Sequence, residues 1–366
     1  MLKKNNLNIS TKFFAGIKDK VVNGIRLTVE DGINLYKSPD LISIGALADY
    51  ARKKKCGNKA YYIYNQHINY TNICINQCLF CAYSRKKNQP EAFLYSIEDI
   101  KQKIYERIDE PITELHIVGG LNPELDFNYY LTMLKTIKLI RPNAVIKAFT
   151  AVEIDYLARI SGLSIQQVIK KLKQAGLDMM PGGGAEVLSD TIRKKLFPKK
   201  ISGSKWLQVI KAVHKEKIKT NATMLYGHIE TIEERISHLI QLRELQDETN
   251  GFIAFIPLAF HSQNTKLSRL PATTAVDDLK TIAISRLMLD NFNHIKAYWV
   301  MIGAKLAQTA LFFGADDLDG TIIEEKITHF AGAKTAKGLT EEYIKNLIVK
   351  AGLTPVCRDS FYNPVA

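Results

Sequence analysis

The chain has 366 residues, of which 46% are hydrophobic and 24% charged, proportions ordinary for a globular enzyme and sufficient for one large barrel with extensions. No apolar run reaches the roughly 18 residues that a membrane span needs, and the basic start MLKKNN is not followed by the apolar stretch of a signal peptide; the expected address is the cytoplasm, with no membrane partner. A formal net charge of +13 raises the question of nucleic acid, but the lysines lie in short scattered runs without a basic tail, so a solvated basic surface that attracts anionic small molecules is the expectation, with no nucleic-acid partner.

The first sixty-odd residues read as helix. Thr28 precedes acidic residues as a helix cap would, Ser38-Pro39-Asp40 breaks the pattern and starts another helix, and Ile42, Ile44, Leu47 and Tyr50 recur at three- and four-residue spacing. Residues 1–64 are therefore expected to form an N-terminal helical extension. Short apolar runs then alternate with longer amphipathic ones. The strand candidates are residues 67–73, 114–120, 145–151, 176–182, 220–227, 252–260, 294–300 and 314–320, the last being the weakest by composition. Between them lie helical stretches such as SIEDIKQKIYERIDE and TIEERISHLIQLRELQDE, several opening with Ser, Thr or Asp. Strand–helix alternation across residues 65–325 predicts an α/β fold, a (β/α)8 TIM-type barrel. Residues 326–366 are expected as a C-terminal helical extension packing on it.

Chemistry in such a barrel sits at the C-terminal strand ends, and the unusual residues fall there. Cys74, Cys78 and Cys81 follow the first strand, Gly119-Gly120 end the second, Pro181-Gly182-Gly183-Gly184 end the fourth, His228 ends the fifth, and His261 follows the sixth. In a reducing compartment clustered thiols read as metal ligands rather than disulfides. A structural zinc site wants four ligands, and nothing points to Cys56, Cys357 or a distant histidine as the fourth. An iron–sulfur cube held by three thiolates keeps one iron open for a substrate or cofactor, and this is the preferred reading. An RNA-modifying enzyme, suggested by the charge, and a non-catalytic iron–sulfur or zinc protein are the competing classes.

The CxxxCxxC triplet, with Phe80 immediately before Cys81, resembles the radical S-adenosylmethionine (SAM) superfamily. The longer segments HIVGGLNP, IKAFTAVEIDYLA, PGGGAE, TNATMLYGHIET, LRELQDETNGFIAFIPLAFHSQNT, HIKAYWVMIG and GADDLDGTIIEEK resemble the aminodeoxyfutalosine synthase family of menaquinone biosynthesis, over roughly residues 30–362. The cyclic dehypoxanthinyl futalosine synthases share several of these segments but typically carry Trp and Gln in the sixth strand, where this chain reads AFIPLAFH with Pro257, Leu258 and His261. The deazaflavin-forming enzymes are expected to be more distant.

What the resemblance implies is a transferase with a [4Fe–4S] cluster on Cys74, Cys78 and Cys81, and SAM chelating the open iron as a co-substrate. The 5′-deoxyadenosyl radical adds to the enol-ether double bond of 3-[(1-carboxyvinyl)oxy]benzoate, a small anionic aromatic substrate. Rearrangement and loss of carbon dioxide give 6-amino-6-deoxyfutalosine. A flavodoxin or ferredoxin is the expected electron donor. Phe80, Gly119, Gly120 and Glu186 are expected on the cofactor, with Thr150 and Glu153 as weaker candidates. His228, His261 and Arg85 are candidate catalytic or carboxylate-binding groups. Asp316, Asp317 and Asp319 are expected to be structural, and of Tyr298 and Trp299 only one can face the barrel interior.

Overall fold

The computed structural model describes residues 12–322 and 325–365. The first eleven residues of the N-terminal extension, and Ile323-Glu324 of the GADDLDGTIIEEK segment, lie outside the described residues.

Three helices, Lys12–Asn23, Val29–Lys37 and Leu41–Cys56, come first. Thr28 caps the second reciprocally with Asp31, and Asp40 caps the third, as the breaks in the sequence suggest. Within the third helix Ile44 and Leu47 are buried, whereas Ile42 is 74% exposed. The strands follow: β1 (Lys59–Ile63), β2 (Asn65–Ile68), β3 (Glu114–Ile117), β4 (Val145–Ala148), β5 (Met179–Met180), β6 (Lys219–Tyr226), β7 (Phe252–Ala259), β8 (His294–Ile295), β9 (Asp317–Gly320) and β10 (Thr354–Arg358).

β2 to β8 form one parallel seven-stranded sheet in sequence order, with helices in the connections. β9 completes the ring. Asp316 N donates to Ile295 O at 3.0 Å and Ala297 N to Asp317 O at 2.8 Å. On its other side β9 pairs in parallel with β1, which continues through Tyr64 into β2. The first barrel strand is thus the run from Lys59 to Ile68, earlier than the 67–73 expected; residues 69–73 are the loop that leads to Cys74. The missed signal is Gly57-Asn58, where Gly57 ends the lysine-rich helix at φ +60°.

Residues 326–366 contribute the helix Glu341–Lys350 and then β10, which lies parallel along the outer edge of β1. The chain end is therefore part of the sheet seam. Its Arg358 reaches Asp317 of β9 at 2.5 Å, both side chains being essentially inaccessible. The neighbouring acids are also paired: Asp316 with Arg286 at 2.5 Å and with His294 at 2.6 Å, and Asp319 with Lys296 at 3.0 Å. Glu114 and Lys147 meet at 2.6 Å on adjacent strands. The three aspartates are structural partners of cations.

Removing one member of a buried pair leaves an uncompensated charge, at a cost of about 3–5 kcal/mol. Arg358→Met is accordingly expected to lower the urea midpoint by that much stability at neutral pH. A loss no larger than an exposed pair gives, below about 1 kcal/mol, would mean that the seam does not depend on this contact.

Candidate active site

A cavity of about 340 Å³ opens among the C-terminal ends of the strands and descends between them. Cys74, Cys78 and Cys81 all line it, together with Phe80, Gly119, Gly120, Thr150, Glu153, Glu186 and His261. Arg85 and His228 do not.

The thiol loop is held from several directions. Cys74 N donates to Arg85 O at 3.0 Å, Ile75 N to Leu121 O at 3.1 Å, and Leu79 N to Leu196 O at 2.9 Å. Gly120 N donates to Thr71 O at 2.9 Å. A Cβ on Gly120 would stand 2.2 Å from Ile73 O, and one on Gly119 would stand 2.5 Å from the Tyr70 ring. The two glycines are thus required by close approach of the loop to the end of β3. Burial pushes the Cys78 thiol up to about 12, with Lys200 opposing. It raises Cys81 as well, against backbone N–H groups of Ser84 and Tyr83 directed at the sulfur. Buried thiols of this kind become thiolates when a metal supplies the positive charge. No three His, Cys, Asp or Glu side chains among the described residues converge as the ligands of a single ion would. The three thiols line one cavity, and a donor set made of thiols alone fits an iron–sulfur cluster.

Glu153 and Thr150 form a reciprocal cap on the helix Ala151–Ser161. The Glu153 carboxylate also accepts from the Tyr70 hydroxyl at 2.9 Å and from Gly119 N at 3.3 Å, so it fixes the glycine turn. Burial raises its pKa, and these hydrogen bonds oppose the rise. Glu186 adopts φ +47°, uncommon for a non-glycine residue, and is bound by Lys200 at 2.5 Å. Lys200 escaped the sequence reading. Burial works against its charge, but Glu186 and Cys78 outweigh burial and hold its pKa above the ordinary value. Its ammonium lies 5.0 Å from the centre of the Phe80 ring.

His261 donates from Nε2 to Met301 O at 2.9 Å. A carbonyl only accepts, so Nε2 carries a proton. The His228 side chain is fully inaccessible; its Nδ1 lies 2.8 Å from Glu230, and its Nε2 is buried without a partner among the described residues. Burial would raise the Glu230 carboxyl, but the His228 contact and Arg235 hold it at about 2. Glu230 also collects Gly227 N at 2.6 Å and His228 N at 2.9 Å, which ties down the turn after β6. Arg85 faces a separate hollow beside the same thiol loop. It donates to Ala82 O at 2.7 Å and Ser84 O at 3.1 Å, and pairs with Glu91 at 2.7 Å. Tyr298 faces the cavity, while Trp299 is buried and donates to Gly320 O at 2.8 Å. His67, His116, Lys147 and Thr223 also line the cavity. Each stood inside a strand candidate, yet period-two patterning does not distinguish a cavity-facing polar residue from a solvent-facing one.

A parallel α/β barrel with a thiol triplet opening into its mouth defines a radical SAM enzyme. The superfamily model matches residues 68–242, and a CofH/MqnC C-terminal-region model matches residues 249–366. The solved methylornithine synthase aligns over 93% of this chain and 97% of its own with a TM-score of 0.75 at 18% identity. The [FeFe]-hydrogenase maturase HydG aligns over 95% and 77% with a TM-score of 0.73 at 16% identity. These two share the fold. Aminodeoxyfutalosine synthase of Thermus thermophilus is 43% identical over 95% of both chains, and that of Streptomyces coelicolor is 41% identical over 94% of this chain and 92% of its own. A 5-amino-6-(D-ribitylamino)uracil–L-tyrosine 4-hydroxyphenyl transferase of Archaeoglobus fulgidus is 42% identical over 87% and 92%. The chain belongs to the radical SAM superfamily, in the family that contains the aminodeoxyfutalosine synthases, for which a [4Fe–4S] cluster and SAM are implied. Among the described residues no helix is long and apolar enough to cross a membrane.

Gly120→Ala is expected to displace the thiol loop. After anaerobic reconstitution the variant should retain much less iron and sulfide than the parent, with an unchanged far-ultraviolet dichroism spectrum. Full iron loading would show that Ile73 yields to the added methyl group.

Proposed function

We propose that this chain is an aminodeoxyfutalosine synthase, joining the 5′-deoxyadenosyl group of SAM to 3-[(1-carboxyvinyl)oxy]benzoate with rearrangement and decarboxylation to give 6-amino-6-deoxyfutalosine. The supporting observation is one continuous cavity, in a chain 43% identical over 95% of its length to a synthase of that name, that includes both the thiol triplet and polar groups below the strand ends.

Cys74, Cys78 and Cys81 are the ligands in this reading, and the three thiolates leave one iron open. A cluster held there and reduced by a flavodoxin or ferredoxin would supply the electron for reductive cleavage of SAM. The chain's part is placement and exclusion of water. Gly119 and Gly120 bring backbone polar groups to the methionine end of SAM. Glu186 offers a carboxylate to the ribose hydroxyls, and Phe80 with Lys200 forms a wall beside the thiols. Glu153 and Thr150 act through the glycine turn. His261, which lines the cavity beyond β7, takes or shares a proton at the mouth during decarboxylation. His228 and Arg85 are positioning residues: one fixes the turn after β6 through Glu230, the other fixes the thiol loop.

The test is anaerobic. The reconstituted, reduced protein is given SAM and the enol ether, and products are read by mass. An adduct containing adenosine and lacking one carbon dioxide is expected, and Cys78→Ser should abolish it in a folded protein. Formation of only 5′-deoxyadenosine and methionine would exclude this acceptor. Turnover of tyrosine with 5-amino-6-(D-ribitylamino)uracil would instead group the chain functionally with the Archaeoglobus relative.

A further inference from the structure

Below the strand ends the cavity wall carries polar groups to which the function proposed above assigns no role. His67 on β2, His116 on β3 and Lys147 on β4 are register partners across three adjacent strands. All three line the cavity. The two imidazoles stack with centroids 4.4 Å apart and planes 14° apart. Neither ring makes a side-chain hydrogen bond to any described residue, nor does the phenol of Tyr298, which lines the same cavity. Their polar atoms open onto the cavity rather than into packed interior, so they are free to meet whatever occupies it.

The chemistry of that ligand follows from the donors. Lys147 offers three N–H groups, of which Glu114 accepts one at 2.6 Å. Glu114 is itself fixed by Ser360 Oγ at 2.6 Å and Asn65 Nδ2 at 3.4 Å. Burial lowers the pKa of both imidazoles, and for His116 the neighbouring His67 and Lys147 lower it further. Both rings are therefore neutral, which lets them stack without repulsion, and each has one N–H to donate. Asp319 and Glu325 also line the cavity; Lys296 stands 3.0 Å from Asp319, and His329, held up at about 9 by its contact with Glu325, stands 3.1 Å from that carboxylate. Two imidazoles and the Lys147 amine stand in one row, and the Tyr298 phenol lines the same cavity; together they offer the hydrogen-bonding complement of a carboxylate.

We propose that His67, His116 and Lys147, with Tyr298, form the subsite for the ring carboxylate of an aromatic acid substrate. Resting on the function proposed above, the inference places the benzoate carboxylate deep between the strands and leaves the vinyl carbon toward the thiol triplet at the mouth. The row anchors the substrate by the carboxylate that the reaction does not remove. These are binding residues; no proton or electron passes through them.

The test reads equilibrium binding, so it does not depend on turnover. Isothermal titration of the cluster-loaded protein without SAM compares 3-[(1-carboxyvinyl)oxy]benzoate with the analogue lacking the ring carboxylate. The wild type should prefer the carboxylated ligand by about ten- to a hundredfold, the range for hydrogen bonds to a charged group. His67→Gln and His116→Gln, which leave the Glu114–Lys147 pair intact, should each shrink that preference while binding the analogue as the wild type does. Lys147→Arg serves as a third variant that keeps the charge. An unchanged preference in both glutamine variants, shown to be folded and iron-loaded, would overturn the subsite. Equal loss for both ligands would also overturn it, because a merely structural role predicts that result. Benzoate alone is the second probe. Benzoate binding that weakens in His116→Gln, without turnover of the enol ether, would retain the subsite and reject the proposed reaction. No binding of either acid by the wild type would reject both.

Discussion

A charge taken out of water must be paired, and the barrel interior of this protein is organised around that requirement. Glu114 meets Lys147, Asp319 meets Lys296, and Asp317 meets Arg358. Each pair joins two strand segments. Burial opposes the charged forms of Asp317 and Asp319, and their cations hold both carboxyls below the usual range. β9 reads DLDG and has no β-branched residue, so local propensity does not make it a strand. Its ion pairs and its backbone bonds to Ile295, Ala297 and Tyr61 do. The closing seam therefore depends on Arg358, and the C-terminal strand that carries Arg358 belongs to the barrel's stability as much as the strands that bear the site.

Much of the architecture was legible because barrel helices advertise themselves. The stretch 127–140 is helical over its whole length, and Thr231 and Thr274 cap the following helices reciprocally with Glu234 and Asp277. Strands were less legible, for a physical reason. In a parallel sheet covered on both faces the alternation of polar and apolar residues weakens. The first strand then looked like the end of the helical extension, and the run 294–300 looked like one strand although β8 stops at Ile295 and a short helix begins at Trp299. β10 depends on a parallel partner 295 residues away in sequence, as Lys59 opposite Thr354 shows, which no local pattern records.

The site divides in the same way. The thiols and glycines were visible because their residue types are unusual and their spacing is tight, and the cavity brings them together. His228 was expected at the mouth because it ends a strand, and Arg85 was a candidate because it closely follows the thiol triplet, yet each turns to local groups: backbone carbonyls and Glu91 for Arg85, and Glu230 for His228. His67, His116 and Lys147 were overlooked because a polar residue inside a strand is usually a solvent-facing one. Only the register of three strands puts them in a single row facing the cavity.

Two relatives whose names carry different activities are almost equally similar to this chain, at 43% and 42% identity. Overall identity therefore does not separate acceptors. What the thiol loop and its glycines hold is shared chemistry, so the choice of acceptor rests on the few side chains that line the rest of the cavity. β7 supplies Ile256 and Leu258, and His261 follows it, in the segment where the resemblance to the synthases was most discriminating. Facing these are the imidazoles of β2 and β3. An aromatic acid of the right length would lay its ring along the apolar β7 wall and set its carboxylate on the imidazole–ammonium row, leaving the reactive carbon nearest the thiols. On the proposed subsite, selectivity in this barrel becomes a matter of the distance between the imidazole–ammonium row and the thiol loop, both set by strand register.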